Sequence, residues 1–301
     1  MTAFAELGTI FETQNSSGDT IRCLLEGPDT GDPAPLVIVA PSYALSMRHF
    51  GPLSLFLTLN GFRSLRFDYT NHVGISAGEV YDYKLSTAAD DLSSVLDSLG
   101  DWGMQGPVAV ISVSMGARIA FRALRDRPQI ASLVSLVGVV NLQDTLYSVV
   151  GEDVVAEGLS GSIPHAREVL GYHVGGQIVM DAIEHNLHSL ESTKADVAQC
   201  NFPITHVFAE DDAWTRLHEA EQVFGEDSGA AAPRQMYILP EASHKLEYNP
   251  VAARTAFSLA VAAVARELTG AEMRVKDVTS PSFNDVVEKN RQEKSLDGEK
   301  I

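Results

Sequence analysis

Short apolar runs alternate along this chain with longer segments of helical periodicity, and this alternation limits the folds open to it. Leu36–Ala40 and residues 107–113 are runs of this kind, and residues 84–99 between them carry a helical stripe of leucines. Short apolar runs are typical of strands buried on both faces of a parallel sheet. The alternation predicts an α/β fold, a mostly parallel central sheet with helices on both faces. Strand-like segments at 4–13 and 20–26, joined by a turn signal, predict an opening hairpin.

The alternation stops after residue 140 and resumes at residue 202. Residues 141–201 contain segments of helical character but no run that suits a buried strand, so we interpret them as a cap inserted into one core. The core then comprises residues 1–140 and 202–272. Residues 273–301 are charged and irregular, and we interpret them as a C-terminal extension.

The chain is strongly acidic, with a formal net charge of −18 over 301 residues. Such a charge repels nucleic acid and anionic lipid surfaces at long range, which argues against nucleic-acid binding as a function. No apolar run is long enough to cross a membrane, so we expect no stable membrane insertion. The first residues lack the pattern of a secretory signal, and we expect a cytoplasmic protein.

The two cysteines, Cys23 and Cys200, have neither a CxxC spacing nor a neighbouring histidine pair. Zinc sites need such ligand spacings, so we predict no metal, and no motif in the chain implies a cofactor. In a chain without a secretory signal, two free and buried thiols are a better prediction than a disulfide.

A serine with small neighbours lies where the apolar run at 107–113 gives way to a helix. The segment reads Ser112-Val113-Ser114-Met115-Gly116, with small residues two before and two after Ser114. The nucleophile elbow of α/β-hydrolases needs this strand, sharp turn and helix, although a glycine usually stands where Ser112 does. Ser114 is therefore the candidate nucleophile, and the Met115 N–H is the candidate donor to an oxyanion. The alternative is that Ser114 only caps the helix.

A second oxyanion donor is expected from the loop after the strand at 36–40. This loop reads Pro41-Ser42-Tyr43-Ala44 and lacks the usual His-Gly pair. We assign the role to the Tyr43 backbone N–H, with Ser42 as the alternative.

In α/β-hydrolases an acid and then a histidine follow the nucleophile along the chain. The strand predicted at 204–208 leads to Glu210-Asp211-Asp212, where the spacing favours Asp212 as the acid and leaves Asp211 as the alternative. A solvated acidic turn is the non-catalytic interpretation of these carboxylates. Of nine histidines, His244 alone lies between the last predicted strand and the last helix, so it is the candidate base.

Several short blocks are more specific than the candidate triad. They are Asn60-Gly61-Phe62 with Arg66 and Asp68, His72-Val73-Gly74-Ile75-Ser76-Ala77-Gly78, Ser112-Val113-Ser114, Val137-Gly138-Val139-Val140-Asn141-Leu142, Ala209 to Trp214, Ser243-His244, and Pro281-Ser282-Phe283. With these blocks nearly the whole chain resembles the acyltransferases of bacterial bioluminescence, the acyl-ACP thioesterase subunits of the fatty acid reductase system. His72 lies in the loop at 68–80 and could line the pocket, but a surface position is expected for it.

The resemblance implies cleavage of a fatty acyl or polyketide-like thioester through an acyl-serine intermediate. Ser114 would take the acyl group, His244 would shuttle the proton, and Asp212 would hold the imidazole. The acyl donor would be an acyl carrier protein or acyl-CoA, and the acceptor would be water or an acyl-accepting enzyme. Within the cap, little of the resemblance extends past Leu142, so the sequence does not fix the acyl length that the cap admits.

A carrier protein is itself acidic, so it would need a basic patch on this acidic chain. Arg118, Arg122 and Arg125 lie at i, i+4 and i+7 of the helix that follows Ser114, and hence on one face. These arginines could dock an acidic carrier. The alternative is a solvated helix face whose aliphatic stems are buried.

Two other functions compete with thioester cleavage. A general carboxylesterase would use the same triad on oxygen esters, so only relative rates on the two kinds of ester separate it. A non-catalytic binding protein of the same fold usually lacks a triad member, and none is missing from this sequence.

Overall fold

The computed structural model describes residues 8–28, 34–225 and 230–277. Its main feature is an eight-stranded sheet with the strand order β1-β2-β4-β3-β5-β6-β9-β10. The strands are β1 (Thr9–Gln14), β2 (Thr20–Glu26), β3 (Leu36–Ala40), β4 (Arg63–Phe67), β5 (Val108–Val113), β6 (Ile130–Leu136), β9 (Ile204–Ala209) and β10 (Arg234–Leu239). From β4 to β10 all neighbours are parallel, whereas β1 and β2 form the antiparallel hairpin that the sequence predicts. The predicted α/β-hydrolase fold is thus confirmed.

Helices cover both faces of the sheet. They are α1 (Gly51–Leu59), α2 (Leu85–Ser98), α3 (Met115–Ala123), α8 (Leu217–Phe224) and α9 (Pro250–Thr269). In β3 the side chain of Ile38 joins the apolar cluster of α2, α3 and α8, whereas Val37 and Val39 join the cluster of α1 and α9. This alternation follows from the two-residue period of a strand, and it explains why all five residues of β3 are apolar and buried.

The segment between β6 and β9 adds no strand to the large sheet. It contains α4 (Leu142–Val150), α5 (Val154–Leu159), α6 (Gln177–Glu184), α7 (Leu190–Ala198) and a separate antiparallel hairpin of β7 (Arg167–Val169) and β8 (Tyr172–Val174). The sequence did not predict this hairpin, because strands of three residues are too short to show a period. We call residues 141–201 the insert; its status as a separate cap unit stays a prediction.

Cys23 and Cys200 are free and buried, as predicted. Within the described ranges, no helix is long and apolar enough to cross a membrane. The start of the C-terminal extension is held to α1, because the Asn60 side chain exchanges two hydrogen bonds with the Lys276 backbone, at 3.0 and 2.7 Å. The rest of the predicted extension, including Pro281-Ser282-Phe283, lies outside the described residues.

Candidate active site

Ser114 lies in a strained turn between β5 and α3. Its φ of 52° and ψ of −123° put a residue with a side chain in the left-handed half of the backbone map, which costs free energy unless the surroundings hold it there. Three backbone hydrogen bonds hold it: its N–H donates to Leu136 at 2.9 Å, and its carbonyl accepts from Val139 and from Ala117, each at 3.0 Å. The Ser114 side chain makes no cap hydrogen bond to α3. The alternative of a purely helix-capping serine is therefore wrong.

The small size of Gly116 is required by a close backbone approach. A Cβ built at Gly116 would lie 2.3 Å from the Pro41 carbonyl oxygen and 3.0 Å from that of Ala40. The first turn of α3 therefore packs directly against the loop that follows β3. We call residues 41–46 the β3 loop.

The Ser114, His244 and Asp212 side chains form one continuous chain of hydrogen bonds. Ser114 Oγ lies 2.7 Å from His244 Nε2, and His244 Nδ1 lies 2.8 Å from Asp212 Oδ2. An imidazole that donates from Nδ1 to a carboxylate has Nε2 free to accept, so the Ser114 hydroxyl can donate to it. The Trp214 ring covers the imidazole, with ring centroids 4.5 Å apart.

Backbone hydrogen bonds fix the Asp212 carboxylate in this position. Its Oδ1 accepts from the N–H groups of Trp214, at 2.8 Å, and Thr215, at 3.0 Å, which leaves Oδ2 for His244. Burial alone would raise the pKa of Asp212, but the hydrogen bond and charge of His244 outweigh burial and lower it. Asp211, the alternative acid, is exposed, so the structure brings Asp212 and not Asp211 to the histidine.

The residues of the two candidate oxyanion donors line a common pocket. Met115 and Tyr43 both border it, and among the described residues no acceptor takes the N–H of either. Ser42 lies one residue earlier, and its hydroxyl donates to the Tyr43 carbonyl at 3.3 Å. The oxyanion roles of the Met115 and Tyr43 N–H groups, and the choice of Tyr43 over Ser42, stay predictions.

The same pocket lies between Met115 at the elbow and the insert, and it is narrow, with a volume of about 20 Å³. Most of its lining comes from the insert, including the aliphatic side chains of Leu146, Val150, Val154, Val169, Val174, Ile178 and Val179. A surface of this kind favours a hydrocarbon chain over a polar ligand. Among the described residues no cluster of His, Cys, Asp or Glu could hold a metal ion.

Comparison with known proteins identifies the family. The family model described as acyl transferase matches residues 30–300. The chain belongs to the acyl transferase family. It is 29% identical over 299 residues to an acyl transferase of Aliivibrio fischeri, covering 99% of this chain and 95% of that protein. An acyl transferase of Photobacterium phosphoreum is 31% identical over 249 residues, covering 82% of this chain and 80% of that protein.

Solved structures with the same fold are more distant in sequence. Est1E from Butyrivibrio proteoclasticus, with ferulic acid bound, is 18% identical with a TM-score of 0.67, covering 84% of this chain and 96% of that one. An esterase of Pyrococcus furiosus is 17% identical with a TM-score of 0.64, covering 86% and 91%. At this identity the likeness concerns the fold alone, so the activity rests on the family: this acyl transferase is an enzyme that cleaves or transfers acyl groups.

Gly116→Ala in this acyl transferase should lower the rate of acyl transfer by roughly 10- to 100-fold, because the new Cβ must push the β3 loop away from α3. The measurement is kcat on an acyl ester, with thermal unfolding to verify the fold. Gly100→Ala is the matched control, since nothing lies within 4 Å of a Cβ there. Equal rates in the two variants would contradict the close approach.

The expectation of a surface position for His72 is wrong. Its side chain is buried, and its Nε2 accepts a hydrogen bond at 3.0 Å from the backbone N–H of Ala44 in the β3 loop. Burial lowers the pKa of His72 to about 4, so the ring is neutral near pH 7 and can accept. The resemblance singled out the segment that begins at His72, but no sequence pattern indicated its contact with the β3 loop.

The three arginines considered for docking a carrier protein contact an acid of the insert. Arg118, Arg122 and Arg125 do share one helix face, but all three bind the carboxylate of Asp196 in α7, at 2.7, 3.0 and 3.1 Å. The Arg118 side chain is fully buried, so no partner can reach it. The Arg122 and Arg125 side chains keep 21% and 34% of their surface exposed, so docking and the alternative of a solvated face both stay predictions for these two residues.

Proposed function

We propose that this acyl transferase cleaves fatty acyl thioesters through an acyl intermediate on Ser114. The observation that carries the proposal is the hydrogen-bonded chain of Ser114, His244 and Asp212, with Met115, the residue after Ser114, in the lining of an apolar pocket. A nucleophile with its base and an orienting acid performs acyl transfer, and an apolar pocket beside it suits an aliphatic acyl group. Thioester chemistry is the further step that the family resemblance supports.

Acylation begins when the Ser114 hydroxyl gives its proton to His244 Nε2 and Oγ attacks the thioester carbonyl carbon. The carbonyl π pair moves to oxygen, and the N–H groups of Met115 and Tyr43 stabilise the resulting anion. The anion collapses, the carbon–sulfur bond breaks, and the imidazolium gives its proton to the departing sulfur. Asp212 stabilises the imidazolium throughout, because its carboxylate is ionised and held in place by backbone donors.

Deacylation repeats these steps with an acceptor hydroxyl or thiol, or with water, in place of Ser114. His244 takes the acceptor proton, the acceptor attacks the ester carbon, and Ser114 Oγ leaves with the proton. The same machinery therefore serves as a hydrolase or as a transferase, and the acceptor that enters the site decides which.

We further propose an acyl carrier protein or acyl-CoA as donor, and water or an acyl-accepting enzyme as acceptor. The two free and buried thiols suit a cytoplasmic enzyme, which would meet both donors there. Asp196 pairs with all three arginines of α3 and so weakens their attraction for an acidic carrier, and carrier and CoA thioesters must be compared directly.

The test is incubation with acyl carrier and CoA thioesters from octanoyl to hexadecanoyl, alongside p-nitrophenyl esters of the same acyl groups. Intact mass follows acylation, and free acid release follows turnover. We expect an acyl adduct on wild type and none on Ser114→Ala, with thioesters turned over faster than the matched esters. Turnover of the oxygen esters alone would indicate a carboxylesterase, and no adduct with either kind of ester would overturn the proposal.

A further inference from the structure

One buried histidine outside the triad contacts the β3 loop at the residue after Tyr43. His72 follows β4, and the Ala44 N–H donates to its Nε2 at 3.0 Å. In the neutral tautomer that this contact requires, Nδ1 carries the proton and Nε2 is an acceptor. Burial lowers the pKa of His72 to about 4, so the ring is neutral near pH 7 and keeps this acceptor.

The β3 loop needs such a contact because its backbone is unfavourable in isolation. Ala44 has a φ of 65°, a strained conformation that residues with a Cβ rarely adopt. Within the loop itself the backbone contact is long, with the Leu45 N–H 3.4 Å from the Ser42 carbonyl. The hydrogen bond to His72 therefore stabilises a turn that the loop sequence alone does not favour.

The Tyr43 side chain is held from the same side. Its ring contacts the rings of His72 and Tyr83, each with centroids 5.6 Å away, and its hydroxyl lies 3.4 Å from the Val169 carbonyl of the insert. With the side chain packed and the following peptide bonded to His72, the backbone of Tyr43 has little freedom to rotate. The direction of its N–H is set by these two anchors.

We propose that His72 is a positioning residue that aims the Tyr43 N–H at the oxyanion of the tetrahedral intermediate. The inference rests on the proposed acyl-serine mechanism, because only that mechanism gives the N–H an anion to stabilise. His72 acts through Ala44 and Tyr43 and does not itself contact the reacting atoms. Loss of the acceptor at its Nε2 position should therefore destabilise the transition state and change the affinity for the substrate little.

Three substitutions at His72 separate the acceptor from the bulk of the ring. His72→Gln can place an amide oxygen near the former Nε2, His72→Asn places one only near the former Nδ1, and His72→Leu has no acceptor. The matched control is Tyr83→Phe, which alters the ring packed 4.8 Å from His72 but removes a hydroxyl that has no partner among the described residues. Each variant is compared with wild type in kcat and KM on the preferred acyl ester, and in affinity for an alkyl trifluoromethyl ketone, which forms a tetrahedral adduct with serine.

We expect His72→Leu and His72→Asn to lose roughly 10- to 100-fold in kcat and a similar factor in ketone affinity, with KM within about twofold. His72→Gln should recover most of the loss, and Tyr83→Phe should resemble wild type. An unchanged kcat in His72→Leu, or equal impairment of the Gln and Asn variants, would overturn the proposal. If thermal unfolding shows that His72→Leu is not folded, the comparison of kcat between His72→Gln and His72→Asn tests the proposal instead.

The two proposals fail in distinguishable ways. If wild type cleaves no thioester, the proposed substrate is wrong, but the rate at which a fluorophosphonate labels Ser114 still reports on the oxyanion donors. If wild type is active or labelled and the His72 variants react at the same rate, the mechanism stands and the positioning role is wrong.

Discussion

Replacement of Ser114 by alanine should lower kcat for acyl release by roughly 10⁴-fold or more and abolish the acyl adduct. The reason is that Ser114 Oγ lies 2.7 Å from His244 Nε2. The strained backbone of the turn holds the Ser114 side chain in this position. Without the hydroxyl, no covalent intermediate can form, and only residual catalysis by the pocket donors is left. The measurement is intact mass after mixing with an acyl thioester, together with steady-state release of free acid.

Ser112→Ala is the matched control for this variant. Ser112 lies two residues earlier, in β5, and is fully buried; among the described residues its hydroxyl makes only a long contact of 3.4 Å, to the Val134 carbonyl. Alanine preserves the small size that the elbow needs, so kcat should stay within about threefold of wild type.

A double variant Ser114→Ala with His244→Ala should be no slower than Ser114→Ala alone, because the two residues act as one unit. Additive losses, or a residual acyl adduct on Ser114→Ala, would place the nucleophile elsewhere.

The placement of Ser114 and His244 was predictable because both depend on local context. A serine between small residues, after a buried strand and before a helix, has few structural alternatives, and His244 follows the last strand in the expected order. The choice between Asp211 and Asp212 needed the structure. The two residues are neighbours of the same chemical type, and only the backbone donors of Trp214 and Thr215 show which one turns inward.

The features that the sequence could not show depend on partners far along the chain. His72 has the local pattern of a loop histidine, and its acceptor role becomes visible only when Ala44 is brought to it by the pairing of β3 with β4. Likewise, an arginine stripe on one helix face is the same sequence pattern whether solvent, a partner or a buried carboxylate faces it. Most of the pocket lining lies in the insert. The helices and the hairpin of the insert are too short to show a clear periodicity, so the sequence did not indicate which side chains line the pocket.

The buried cluster of Arg118 and Asp196 leads to the largest expected effect on stability. Arg118 has no exposed side-chain surface, and it also donates to the carbonyls of Leu187, at 3.0 Å, and Asn186, at 3.1 Å, both in the insert. Burial lowers the pKa of Arg118 to about 10, although the charge of Asp196 opposes this shift. The cluster therefore joins α3, which begins beside Ser114, to the insert that covers the pocket.

Asp196→Asn should lower the free energy of unfolding by about 3–5 kcal/mol, because it removes the one carboxylate shared by three guanidinium groups and leaves Arg118 buried without a counter-charge. The matched control is Asp97→Asn, which breaks a pair with Arg127 in which Asp97 is 65% exposed, and should cost no more than about 1 kcal/mol. Urea unfolding measures both, and similar losses in the two variants would contradict the buried cluster.

The same variant separates support of the pocket from support of the elbow. Backbone hydrogen bonds from β6 and the residues after it hold the elbow, so folded Asp196→Asn should retain kcat. A loosened insert should instead raise KM, most of all for the longest acyl chains. A fall in kcat with KM unchanged would show instead that the cluster supports the elbow rather than the pocket.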